Sequence, residues 1–359
     1  MKLDIEKNKK IIFFIIVLAI IIRIIFAFST KINTFQFDFG TSDVIEAEDY
    51  DKLYTNYNQG LHKARHINYI MRLYHNEGFS DEIKGQFYHP PLHYLIMSNW
   101  LKLMDIVSNN SIIKLESMKF VTIIYSFVFL ITFYKILNEL EIENKLVPMM
   151  LISFYPLFIY MSGLLNNDML VAMFSMISIL YLIKWEKNPS IKNTIILANA
   201  IGFGLMTKTA IFVMFIPAVI IYFKKLIETN KKGESVKKLI IELIIFSAIC
   251  FPLGLWFHFY YLLKGEITIG IAEPFEYFSL KDYSLIQRFG FTSLAKMNFY
   301  NLWNYLLFSS YNFDIINTDG FFQTLLIVIT IMYFIMGLYY LFKVGKKIIL
   351  LHLHLLHGG

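Results

Sequence analysis

Residues 11–29 form an apolar run broken by one charge, Arg23. As a helix rising 1.5 Å per residue, such a run reaches about 30 Å, enough to cross the hydrocarbon core of a bilayer. Similar runs follow at about 117–137, 145–163, 169–185, 191–206, 209–223, 239–263 and 321–343. The expected fold is therefore all-α and polytopic, with about eight transmembrane helices. Composition agrees: hydrophobic residues make up 57% of the 359, and the mean hydropathy of +0.54 lies far above that of a soluble domain. The first run is too long for a removable signal peptide and lacks a small-residue cleavage site, so it reads as a signal anchor. The single cysteine, Cys250, lies in an apolar run, which leaves neither a disulfide framework nor a cysteine metal site.

Lysine-rich loops stay on the cytoplasmic side of a membrane. Lys2, Lys7, Lys9 and Lys10 place the N-terminus there. If residues 89–106 crossed the bilayer, the stretch from Lys224 and Lys225 through Lys231 and Lys232 to Lys237 and Lys238 would fall outside, against that rule. If 89–106 instead lies along the outer face or re-enters it, this stretch is cytoplasmic, as are Lys184, Lys187, Lys192, Lys343, Lys346 and Lys347. We adopt the second arrangement. It leaves residues 30–116 and 264–320 as two extracytoplasmic loops within a transmembrane domain spanning 1–343, followed by a tail, 344–359. The net charge of +6 is explained by the cytoplasmic lysines and gives no reason to invoke nucleic acid.

The first outer loop carries Phe35-Gln36-Phe37-Asp38-Phe39-Gly40 and then the acids Asp43, Glu46, Glu48, Asp49 and Asp51. Within 61–74 the apolar and aromatic residues Ile67, Ile70, Met71 and Tyr74 recur at helical spacing, so an amphipathic helix on the membrane surface is expected. The loop closes with Gln86-Phe87-Tyr88-His89-Pro90-Pro91-Leu92-His93-Tyr94. A proline pair forces its predecessor into extended geometry and suits a helix's first turn, so a helix is expected over 92–106, with His89 and His93 held at the membrane–water boundary. Farther on, Asn166-Asn167-Asp168 precedes one apolar run and Met206-Thr207-Lys208 separates two others.

In this order, FQFDFG, QFYHPPLHY, the Asn-Asn-Asp run and the Met-Thr-Lys run resemble the multi-spanning glycosyltransferases of the GT-C fold, close to the protein O-mannosyltransferases of glycosyltransferase family 39. Arg65-His66-Ile67-Asn68-Tyr69-Ile70 is similar to a loop helix of such enzymes, and the resemblance covers most of residues 1–263. It implies a donor sugar carried on a polyprenyl phosphate, an active site on the extracytoplasmic face, and direct displacement at the anomeric carbon with inversion. The acceptor hydroxyl would belong to a protein, a lipid or a cell-wall polymer. The resemblance makes Asp38 the general base, for which a carboxylate within hydrogen-bond reach is suited. It places His66, His89, Asp168 and Lys208 in substrate binding, with Lys208 opposite the leaving phosphate; Arg288, in the last outer loop, is a weaker candidate partner there.

Simpler readings stand beside these. Asp38 could serve an Asx-turn before Gly40. The asparagines could cap a helix whose dipole Asp168 complements, and Lys208 could snorkel to the interface. No cofactor or metal is required by the pattern. The acids 43–51 could hold a hard divalent cation such as calcium, but they lack a recognisable ligand loop and read as solvated surface. Arg23 has no assigned role. His352, His354 and His357 alternate with leucine before Gly358-Gly359, a pattern that suggests metal binding only superficially and could equally mark a truncated or frameshifted end. Two competing functions are a transporter or flippase, and a shortened non-catalytic homologue. A transporter would place ionisable groups near the bilayer midplane within inverted repeats, whereas here no repeat is found and most polar residues lie at the outer face.

Overall fold

A computed structural model describes residues 2–29, 66–81, 85–266 and 268. Asp38, the acids 43–51, Arg288, the apolar run 321–343 and the tail 344–359 lie outside the described residues, as do residues 30–65 and 82–84 of the first expected outer loop and most of the second.

The described chain is helical, with no strand among the described residues. Its α-helices are α1 (Lys2–Ser29), α2 (His66–Tyr74), α3 (Leu92–Val107), α4 (Ser111–Glu139), α5 (Leu146–Phe154), α6 (Pro156–Met161), α7 (Asp168–Lys187), α8 (Ile191–Leu205), α9 (Phe215–Lys231) and α10 (Lys237–Leu262). Short 3-10 turns, Gly85–Tyr88 and Thr209–Met214, precede α3 and α9. Five segments are long and apolar enough to cross a membrane: Lys9–Ser29, α4, α7, Thr209–Lys231 and α10. The chain is thus a multi-pass membrane protein.

Two expected elements take a different form. The run 145–163 is not one span but two helices, because Pro156 has no N–H to continue the helix and Tyr155 turns to an extended ψ of 120°. The break leaves the last carbonyls of α5 without intrahelical partners, and Arg23 takes one of them. Fully buried, Arg23 donates from Nη1 to Ser153 O at 2.7 Å and from Nε to Ser126 Oγ at 2.7 Å, joining α1 to α5 and α4. The second difference is α2, which is not a surface helix: His66, Ile67, Asn68, Tyr69, Ile70, Met71 and Leu73 are all buried. Its apolar face packs on α3, and Arg72 folds back onto the Gly78 and Phe79 carbonyls to fix the turn that ends it.

The core around α2 draws on α1, α3, α4 and α7. A second cluster joins α7, α8 and α10 around Leu197, Ile201, Leu205 and Cys250. There α8 and α10 approach closely through glycines: a Cβ at Gly254 would lie 2.6 Å from Leu205 Cδ1, and one at Gly202 3.0 Å from Leu253 Cδ2. Small residues permit such close helix contact where lipid gives no hydrophobic drive to associate. At 16 residues, α3 extends about 24 Å, short of a full hydrocarbon crossing.

Candidate functional site

The prolines of the QFYHPPLHY run end the 3-10 turn and start α3 at Leu92, with Pro91 as its N-cap. A helix start leaves its first N–H groups without intrahelical acceptors, and proline offers no side-chain cap. The main chain of a distant segment fills that need: Leu92 N–H donates to Met206 O at 2.9 Å. The end of α8 thus caps the beginning of α3, and Met206-Thr207-Lys208 lies against the proline run.

The Asn-Asn-Asp run joins the same place. His93 presents Nε2 to Leu165 O at 2.8 Å; since a carbonyl only accepts, Nε2 carries the proton. Asn167 is fully buried and donates from Nδ2 to Thr207 O at 2.9 Å. It therefore does not cap α7 with its side chain, as the sequence suggested. Asn166 takes the local role instead, accepting from Asp168 N–H at 3.2 Å and donating to Asp168 Oδ2 at 2.9 Å. Asp168 Oδ1 pairs with the Lys208 ammonium. Lys208 is thus held by a carboxylate in the first turn of α7 rather than simply snorkelling. Both partners stay about a third exposed, at 29% for Lys208 and 35% for Asp168. An ammonium has three donors, so Lys208 can bind a further anionic oxygen.

An aromatic layer flanks this pair. His66, at the start of α2, shares a 2.7 Å hydrogen bond between Nδ1 and Tyr94 Oη, and its ring stacks on His89 at 5.9 Å between centroids. Tyr94 in turn stacks on Tyr69 at 4.1 Å. His89 is 4% exposed and His93 fully buried, so neither sits in water at a boundary as the sequence suggested; the packing of α2 over α3 encloses them. Burial pushes the His89 imidazole well below its usual range, and the neighbouring Lys208 and His93 push the same way. Burial lowers His93 to about 4, against smaller opposing effects of the Leu165 hydrogen bond and the Asp168 charge. Both rings are neutral at pH 7 and act as hydrogen-bonding groups. Nδ1 of each has no hydrogen-bond partner among the described residues.

Of the six residues singled out in the sequence, four, His66, His89, Asp168 and Lys208, come together here, while Asp38 and Arg288 lie outside the described residues. Asn167 and Tyr94 join them as connectors that the sequence reading missed or assigned differently. Tyr94 carried a signal, since it closes the same motif run as His89, but its partner His66 lies across a loop. Among the described residues no group of three or more His, Cys, Asp or Glu side chains could hold a metal ion.

A multi-pass helical bundle with its polar motif residues gathered at one end of α7 and α8 fits a membrane-embedded transferase. Residues 88–256 match the family model described as dolichyl-phosphate-mannose-protein mannosyltransferase. This family is one of glycosyltransferases, and the match supports the resemblance drawn from the motifs and, with it, a membrane glycosyltransferase of the GT-C kind. No curated protein and no solved structure matches the chain.

Proposed function

We propose that the chain transfers a sugar from a polyprenyl-phosphate donor to an acceptor hydroxyl on the extracytoplasmic face of the membrane, with inversion at the anomeric carbon. The acceptor oxygen attacks that carbon while its bond to the phosphate oxygen breaks. The hydroxyl proton passes to the Asp38 carboxylate, and the phosphate departs with the bonding electron pair. Lys208 opposes the charge growing on that phosphate, with Arg288 as a second cation. His66, and His89 as a neutral imidazole, bond sugar hydroxyls or phosphate oxygens, and Asp168 aims Lys208. The acceptor class that fits the matched family is a protein hydroxyl, with a lipid or wall polymer as the other substrates to test.

One observation carries this reading: the Asp168–Lys208 pair is fixed beside His89 and His93 by bonds between three separate motif segments. A fixed cation is what a leaving phosphate needs, and preorganised charge acts most strongly where water is scarce. The test is transfer from polyprenyl-phosphate mannose to serine- and threonine-containing peptides by the protein in membranes. Asp38→Asn should lower turnover by roughly 10²–10⁴-fold, the usual contribution of a general base. Unchanged transfer by correctly inserted protein would remove Asp38 from that role.

A further inference from the structure

At the other end of α7 from Asp168, about 25 Å away along the helix axis, lies a cavity of about 160 Å³ between α7, α8, α9 and α10. Its walls are apolar, with Leu182, Leu197, Phe215, Val219 and Phe246 among them. One acid enters it. Glu242, one and a half turns into α10, is 1% exposed. Its Oε2 accepts from Trp185 Nε1 at 2.7 Å and from Thr194 Oγ1 at 3.4 Å. Those bonds explain one oxygen as a tie between three helices. They leave Oε1 buried and without a hydrogen-bond partner among the described residues, a state that costs stability until a partner fills it.

The outer wall of the cavity is α9, which has no buried residue along its length. Val219 and Phe223, both lining the cavity, are 48% and 55% exposed. In a membrane that face meets lipid, so molecules dissolved in the bilayer can reach the cavity from the side. We infer that it is a lipid-binding site, in which Glu242 Oε1 recognises the hydroxyl group of a membrane lipid whose apolar chain fills the cavity.

The chemistry selects a hydroxyl over its rivals. A hydroxyl both donates and accepts, so it satisfies Oε1 whether Glu242 is ionised or protonated; an ammonium only donates, and an ester or ether oxygen only accepts. A cation would also be stripped of water among apolar walls at an end of the bundle that already carries Lys224, Lys225 and Lys238. The site is separate from the Asp168–Lys208 site and does not depend on the transfer reaction.

Photo-crosslinking of the full chain in nanodiscs tests this, with a diazirine-bearing hexadecanol as the probe and its methyl ether and primary amine as controls. The alcohol should label peptides around Val219, Tyr222 and Phe246 about tenfold more than the ether, the factor one good hydrogen bond provides. Glu242→Leu should bring alcohol labelling down to the ether's level. Ala218→Phe fills the cavity from α9 while keeping the Glu242–Trp185 bond, and should abolish labelling by both. Equal labelling by alcohol and ether, stronger labelling by the amine, or labelling that survives Ala218→Phe would each overturn the inference.

Discussion

The two ends of α7 are built on different plans. At the Asp168 end, segments far apart in the chain are joined through polar atoms: Leu92 to Met206, His93 to Leu165, Asn167 to Thr207, Asp168 to Lys208. At the Trp185 end polar ties also cross between helices, from Trp185 and Thr194 to Glu242 and from Lys224 to Glu186, but α9 contributes no buried residue and a cavity remains. The first end is closed around its polar bonds, as positioned chemistry requires; the second keeps a cavity behind an exposed helix, as entry of a lipid requires.

The sharpest way to break this contrast is Lys208→Met. Removing a positioned charge should lower transfer roughly 10²–10³-fold, while the melting temperature hardly moves, since a partly exposed ion pair contributes about 0–1 kcal/mol. A large stability loss with intact transfer would make the pair structural.

Acidification probes the same end. The buried imidazole of His93 titrates near 4 in the folded chain and near 6.5 unfolded, so below pH 6.5 the unfolded state binds the proton first. Stability is full above pH 6.5 and is lost as the pH falls towards 4, by about 3 kcal/mol in total. His89 is shifted in the same direction and adds to the loss. Thermal unfolding from pH 7.5 to 4.5 should show the decline. It should be shallower in His93→Gln, which keeps an N–H for Leu165 O and cannot titrate.

Gly254→Val tests whether the apolar contacts support the polar end. Its branched side chain must push Leu205 away, costing about 1–3 kcal/mol. Because Leu205 adjoins the Met206 carbonyl that caps α3, transfer should fall as well. Ile216→Ala, at a residue of α9 that is 61% exposed, should change stability by no more than about 0.5 kcal/mol. A larger loss would show that α9 is packed more firmly than its exposure implies.

Much of this was legible in the residues. Long apolar runs gave the spanning helices, the proline pair gave the start of α3, and Asp168 and Lys208 stood out through the resemblance of the motifs that carry them. What the sequence hid was long-range. The partner of Arg23 is a carbonyl that exists as a free acceptor only because Pro156 ends α5, and that proline was read as part of a continuous span. The spacing in α2 correctly signalled a helix, but period alone cannot say whether the polar side meets water or, as with His66 and Asn68, is covered by protein. Asn167 looked like a cap because capping is local, whereas its actual partner lies forty residues on. Glu242 went unnoticed inside an apolar run, since nothing nearby in sequence announces Trp185 and Thr194.

The bond from Leu92 to Met206 uses main-chain atoms only. Nineteen amino acids can stand at position 92 and all twenty at position 206 without deleting the donor or the acceptor; Leu92→Pro alone removes a partner. The mutual placement of these two segments can therefore be inherited through extensive sequence drift, leaving the surrounding side chains free to diversify towards different sugars or acceptors while the frame that aims them stays put.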